Sequence, residues 1–145
     1  MNSGVSTARL DLASGTERFQ RLAQELGITS FGINLIRLQP GNRGRIHKHA
    51  TQEEVYLVLE GTLSLVVDGA ERDMTKGEIA RVAPDVKRQL VNRGPGRCVV
   101  LAMGGQNEHV GKDGTAFVSW DAKEGKPPLE TPLPEDLPAS ELRKG

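Results

Sequence analysis

From Ile28 onward the chain is cut into short β-forming runs by glycine, proline or Asx turns, and this punctuation constrains the fold most. Phe31, Ile33 and Leu35 alternate, and Ile36-Arg37-Leu38 continues to a turn at Pro40-Gly41. Arg45 to His49 and Glu54 to Leu59 follow, then Gly61, then Thr62 to Val67, which ends at the hairpin signal Asp68-Gly69. Ala70 to Met74, Glu78 to Ala83, Arg88 to Asn92 and Arg97 to Met103 complete the series. Runs of this length with turns about every 8–12 residues predict an all-β sandwich or barrel. The 17 glycines agree with a turn-rich chain.

The flanks read differently. Ser14-Gly15-Thr16-Glu17 resembles a capping box, Phe19, Leu22, Ala23 and Leu26 follow at helical spacing, and Gly27 has the character of a C-cap. These features predict an amphipathic helix of about three turns on the outside of the β-structure. Residues 1–13 show little periodicity and fit an arm or an edge strand. Between Lys126 and Pro138 lie five of the eight prolines, which predicts an extended tail, loose or draped over the barrel. The expected organisation is an arm and helix over 1–30, a barrel over 31–120 and a tail over 121–145. Several strands are apolar on both faces, so cover is expected outside as well, from the helix or from a second copy in a homodimer.

Net charge is zero, with 19 basic and 19 acidic residues, so electrostatics give no case for nucleic acid or an anionic membrane. No apolar stretch approaches the ~20 residues that cross a bilayer. The start Met1-Asn-Ser-Gly-Val-Ser lacks the plan of a signal peptide, and a cytoplasmic protein is expected. The single Cys98 sits in an apolar run and reads as a small buried hydrophobe. Scattered serines lack a histidine–carboxylate partner signature, so a nucleophilic hydrolase is not indicated.

Chemistry concentrates in one segment. His47 and His49 are two apart on a strand and therefore share a face. Glu54, at the start of the next apolar run, can return to that face from a neighbouring strand. Two imidazoles and one carboxylate with open positions form a coordination set for a first-row divalent metal. Glu53 should point the opposite way and is the alternative ligand if the register slips by one. Tyr56 shares the parity of Glu54, which places its ring either in the plain core or in the cavity wall with its hydroxyl near a ligand. Arg45 has the parity of His47, but exposed edge positions are expected for both Arg37 and Arg45. His109, in a glycine-rich loop, is the one other histidine; a rim position is expected, with a fourth ligand as the alternative.

Gly41, five residues, His47-x-His49, four residues, Glu54, six residues, Gly61 closely resembles the first signature of the cupin superfamily. Gly77 to Asn92 is similar to its second signature, and the resemblance covers about residues 31 to 104. It implies a jelly-roll β-barrel with a site among inward-facing residues at its mouth. It also implies a metal, of the kind iron, manganese, nickel or zinc, on His47, His49 and Glu54. The fourth ligand position, a histidine in metal-binding members, falls here on Arg88. Ala83 and Asp85 likewise replace the usual proline and glycine around Pro84.

Arg88 cannot ligate, because guanidinium has no lone pair to give. It either pairs with Glu54 and empties the site, swings to the rim, or holds an anionic substrate that also meets the metal. Gln89 would replace it in the pocket if the strand slipped. Three readings follow. One is a metal-dependent enzyme on a small anionic or oxygen-rich molecule, with Arg88 and Tyr56 as catalytic candidates. Another is a non-catalytic small-molecule binder. The last is an interaction protein in which the tail and dimer surface matter.

Overall fold

Alternation along the central strands decides which way each sheet faces. The computed structural model describes residues 4–12, 15–105 and 113–144. Its strands are β1 (Phe19–Gln20), β2 (Gly32–Leu38), β3 (Ile46–His49), β4 (Glu54–Glu60), β5 (Thr62–Val67), β6 (Ala70–Thr75), β7 (Ile79–Val82), β8 (Arg88–Val91), β9 (Cys98–Gly104) and β10 (Gly114–Phe117). They form two five-stranded sheets, β1-β2-β9-β4-β7 and β10-β3-β8-β5-β6, with antiparallel pairing throughout. Leu38, Tyr56, Val58, Val100 and Ala102 point inward from the first sheet. They meet Leu63, Leu65, Met74 and Leu90 from the second in one buried cluster. This is the jelly roll that the motif resemblance implies.

Residues of the opposite parity explain the two-faced apolar strands. Leu35 and Val99 lie on the outer side of the first sheet and are fully buried under Leu22, with Leu10, Ile33, Leu59 and Leu101 packed around them. The chain's own N-terminal segment therefore covers that face. Its helix α1 is shorter than the spacing predicts, running only over Leu22–Leu26. Phe19 pairs with Ile36 in β1 instead. An isolated helix of so few turns is marginal, whereas the open edge of β2 offers backbone partners at once. Arg21 stands at the N-cap without a side-chain cap bond, and Ser14 of the expected capping box lies outside the described residues. Gly27 does end the helix, in the left-handed conformation with φ 74°.

Gly61 closes the turn between β4 and β5 with φ +75°, and a Cβ there would lie 2.1 Å from the Arg97 carbonyl oxygen. Only glycine fits that approach. Asn92, wholly buried, donates to the carbonyls of Leu38 and Gly96 and accepts from the Gly94 amide, so it fixes the loop before β9.

The tail is draped, not loose. Arg43 and Arg45 donate to the carbonyls of Glu135 and Thr131, and Asn42 to the Asp136 carboxylate. The amides of Leu137 and Arg143 bond the carbonyls of Gly41 and Arg93, and Arg143 reaches Asp73 at 2.8 Å. Proline removes donors within the tail, but the remaining amides and carbonyls find partners on the barrel. No helix among the described residues is long and apolar enough to cross a membrane.

Candidate metal centre

Pairing with β8 and β10 fixes β3 so that His47 lies opposite Arg88 on one side and Ala116 on the other. Strand alternation then aims both imidazoles into the barrel, with ring centroids 5.3 Å apart and planes nearly perpendicular. Glu54 reaches them from the facing sheet, because β4 belongs with β9 and β7 and not with β3. The expected return from a neighbouring strand is thus corrected: the triad spans the barrel interior. Its ligating atoms lie within 4.8 Å of one another.

One oxygen of Glu54 carries nearly all the contacts. Oε1 accepts from the Tyr56 hydroxyl at 2.5 Å, from Arg88 Nη2 at 2.7 Å and Nε at 3.2 Å, and lies 3.1 Å from His47 Nε2. Oε2 takes no hydrogen bond among the described residues, and Glu54 lines the cavity. Burial pushes this carboxyl up, but the imidazoles of His47 and His49 outweigh it and hold Glu54 well below its ordinary value of 4.5. The acid is therefore ionised. Tyr56 moves the other way: burial first, then the Glu54 charge, raise its hydroxyl well above the usual range, so it keeps its proton and donates.

His49 is the informative member. It is 8% exposed, and neither ring nitrogen has a hydrogen-bond partner among the described residues. Nε2 is 3.3 Å from Glu54 Oε1, and Nδ1 is 3.5 Å from Asp113 Oδ2, both short of hydrogen-bond geometry. A buried polar atom without a partner costs about 1–3 kcal/mol. A divalent ion held by His49, His47 and the unengaged oxygen of Glu54 would relieve that cost. The residues present fit such an ion, with positions left open for a ligand.

Arg88 stands behind this set. It is fully buried, and its Nη1 donates to the carbonyls of Ala83, Pro84 and Val86 at 3.3, 3.1 and 2.8 Å. With Nη2 and Nε on Glu54, all three guanidinium nitrogens are engaged, and Arg88 does not line the cavity. Of its three sequence-level alternatives the side chain adopts the pair with Glu54. Burial lowers the Arg88 pKa, and the contacts with Tyr56 and the Glu54 carboxylate more than reverse this, so the cation is fixed. That does not empty the site, because Oε2 and both imidazoles remain free of it.

The other candidates are placed as follows. Glu53 points outward and pairs with Arg81, so the register has not slipped. Gln89 is buried and donates to the Gly44 carbonyl. Arg37 is not an exposed edge residue: it is 4% exposed and holds the N-terminal arm through the carbonyls of Asp11 and Glu17. Arg45 is corrected in the same sense, since it is half-buried and lines the cavity mouth. His109 lies outside the described residues. Asp113 was not flagged: it accepts from the amides of Thr51 and Gln52 and thereby sets the turn after His49. An aspartate before glycine reads locally as a turn residue, so no sequence signal would have found it.

The cavity holds about 260 Å³, walled by Ile36, Leu38, Leu90 and Ala102 around the polar cluster. Residues 34–104 match the family model of the cupin domain. A crystal structure from Silicibacter pomeroyi, described as a sugar phosphate isomerase from a cupin superfamily, is 34% identical over 70% of this chain and 64% of that one, with a TM-score of 0.60. A Cupin 2 conserved barrel domain protein from Salinispora arenicola is 23% identical over 74% of this chain and 93% of that one, at a TM-score of 0.60, and attests the fold alone. An uncharacterized protein of Methanocaldococcus jannaschii is 32% identical over 54 residues, 37% of this chain. The chain spans 43% of that relative's length. With the two imidazoles and the acid inside a jelly roll, the match over 34–104 identifies that part of the chain as a cupin domain.

Proposed function

We propose that the protein is a metal-dependent isomerase acting on a small, oxygen-rich molecule bound in the barrel. The observation that carries this is His49, whose two buried nitrogens lack hydrogen-bond partners among the described residues, beside an unengaged carboxylate oxygen. The 34% identity to a cupin described as a sugar phosphate isomerase favours isomerisation over oxygen chemistry. His47, His49 and Glu54 would hold the ion, which supplies polarisation of a substrate oxygen. Arg88 and Tyr56 act as positioning residues: both donate to Oε1 and so fix the carboxylate with Oε2 toward the cavity. The apolar walls exclude water from the reacting atoms.

The test is elemental analysis of protein purified without chelator, followed by loading with iron, manganese, nickel or zinc. About one ion per chain in the wild type and none in His49→Ala is the expected pair of results. The loaded protein is then tried on aldose and ketose substrates in deuterated water, with solvent deuterium at the carbon next to the carbonyl as the readout. Failure of every metal to bind would remove this reading.

A second reading, a non-catalytic small-molecule binder, is favoured by the Arg88–Glu54 ion pair at 2.7 Å. It expects ligand-induced stabilisation of metal-free protein and no turnover with any ion.

A further inference from the structure

The two ends of the cavity differ in charge. Its inner end carries Glu54, already paired with Arg88. Its outer end continues past Phe19, Asn34, Arg45 and Pro128 into a groove of about 530 Å³ beside α1 and the tail. Arg21 and Arg45 line that groove, and no carboxylate does among the described residues. Arg45 is held by its Nε on the Thr131 carbonyl at 2.7 Å, which leaves both Nη groups without a partner among the described residues. The charge of Arg18 also acts on Arg45. Arg18 itself is anchored on the Arg43 carbonyl. Positive charge is thus gathered at the mouth against its own repulsion.

We propose that Arg45, assisted by Arg21 and the field of Arg18, binds the phosphate group of the substrate, a small phosphate monoester whose other end reaches His47, His49 and Glu54. This rests on the cavity being the substrate site and deepens that reading. A guanidinium fork matches a phosphate with paired hydrogen bonds. A monoester carries about −1.5 to −2 charges near neutrality, which suits several uncompensated cations better than one carboxylate does. Arg45 and His47 are two residues apart on one chain, roughly 7 Å between Cα atoms, so one molecule of a few carbons meets both. Arg88, whose three nitrogens are already engaged and which does not line the cavity, does not serve this purpose.

Inorganic phosphate and acetate are titrated into the full-length protein by calorimetry and thermal shift, for wild type, Arg45→Gln, Arg21→Gln and His49→Ala. Phosphate is expected to bind more tightly than acetate, to weaken about tenfold or more in Arg45→Gln and to weaken about threefold in Arg21→Gln. His49→Ala should keep phosphate binding within about twofold of wild type while losing metal. Arg21 is exposed and makes no side-chain bond among the described residues, so its variant keeps the test open if Arg45→Gln fails to fold. No phosphate binding by wild type at about 10 mM overturns the proposal. So does equal binding by wild type and both arginine variants, or acetate binding as tight as phosphate. A protein that takes no metal yet loses phosphate binding in Arg45→Gln would sink the metal reading and leave this one standing.

Discussion

Arg88 Nη2 donates to Glu54 Oε1 at 2.7 Å, so the one acid of the candidate metal centre has its charge balanced before any ion arrives. The Glu54 carboxylate and the Arg88 guanidinium sum to zero charge. A divalent ion then meets a fixed cation, which at about 5 Å repels it by roughly 6–7 kcal/mol at an effective dielectric of ~20. The attraction of the Glu54 carboxylate and the donation of the imidazoles must together exceed that repulsion.

Replacing the guanidinium by an imidazole should therefore tighten metal binding. Arg88→His removes the cation and supplies a fourth nitrogen, and zinc affinity is expected to rise at least about tenfold. The metal-free variant should be less stable, by about 3–5 kcal/mol, because Glu54 and three carbonyls lose a buried partner. Competitive chelator titration and urea denaturation measure the two effects. Unchanged affinity would mean that Arg88 does not oppose the ion.

Asp113 shapes the turn that presents His49, through the amides of Thr51 and Gln52. Its carboxyl is held below the ordinary 3.8: burial opposes this, and those backbone bonds prevail. Removing the charge in Asp113→Asn should weaken metal binding about tenfold, in the range typical of groups that orient a ligand. Dissociation constants for both proteins decide the matter.

The tail should matter to the barrel as well as to the groove. Arg143 is the largest cause of the lowered Asp73 pKa, so Arg143→Gln should let that carboxyl return toward 3.8, as read by NMR titration. Because the folded value is depressed, the stability from this contact is present above about pH 3.8 and is lost as pH falls toward the folded value. Deleting 126–144 should lower the melting temperature by roughly 5 °C or more, since several backbone and side-chain bonds are lost together.

Gly61→Ala should cost about 2–4 kcal/mol, because a positive φ and a carbonyl 2.1 Å from the new Cβ both oppose it. Chemical denaturation reads this directly. Gly69→Ala makes the control: it also has positive φ, +80°, but nothing lies within 4 Å.

Much of the site could be read along the chain because its parts obey local rules. The parity of His47 and His49 follows from strand alternation, and Glu53 facing away from Glu54 follows from the same rule. The turns at Asp68-Gly69 and Gly61 follow from backbone conformations that few residues adopt. Phe19 was misplaced because its spacing suits a helix equally well, and only the open edge of β2 made it a strand. β10 was missed because Gly114 to Phe117 carries little strand signal of its own and is recruited by the edge of β3.

Taken alone, periodicity and spacing determined a turn-rich all-β fold and the shared face of the two histidines, while the jelly roll and the arginine at the fourth ligand position were implied by the motif resemblance. Only the folded barrel decided which oxygen of Glu54 is left open, that Arg88 turns its donors inward, and that Arg45 faces the cavity. Those choices depend on which distant groups compete for the same hydrogen bonds. Competition of that kind exists only once both sheets and the tail are assembled.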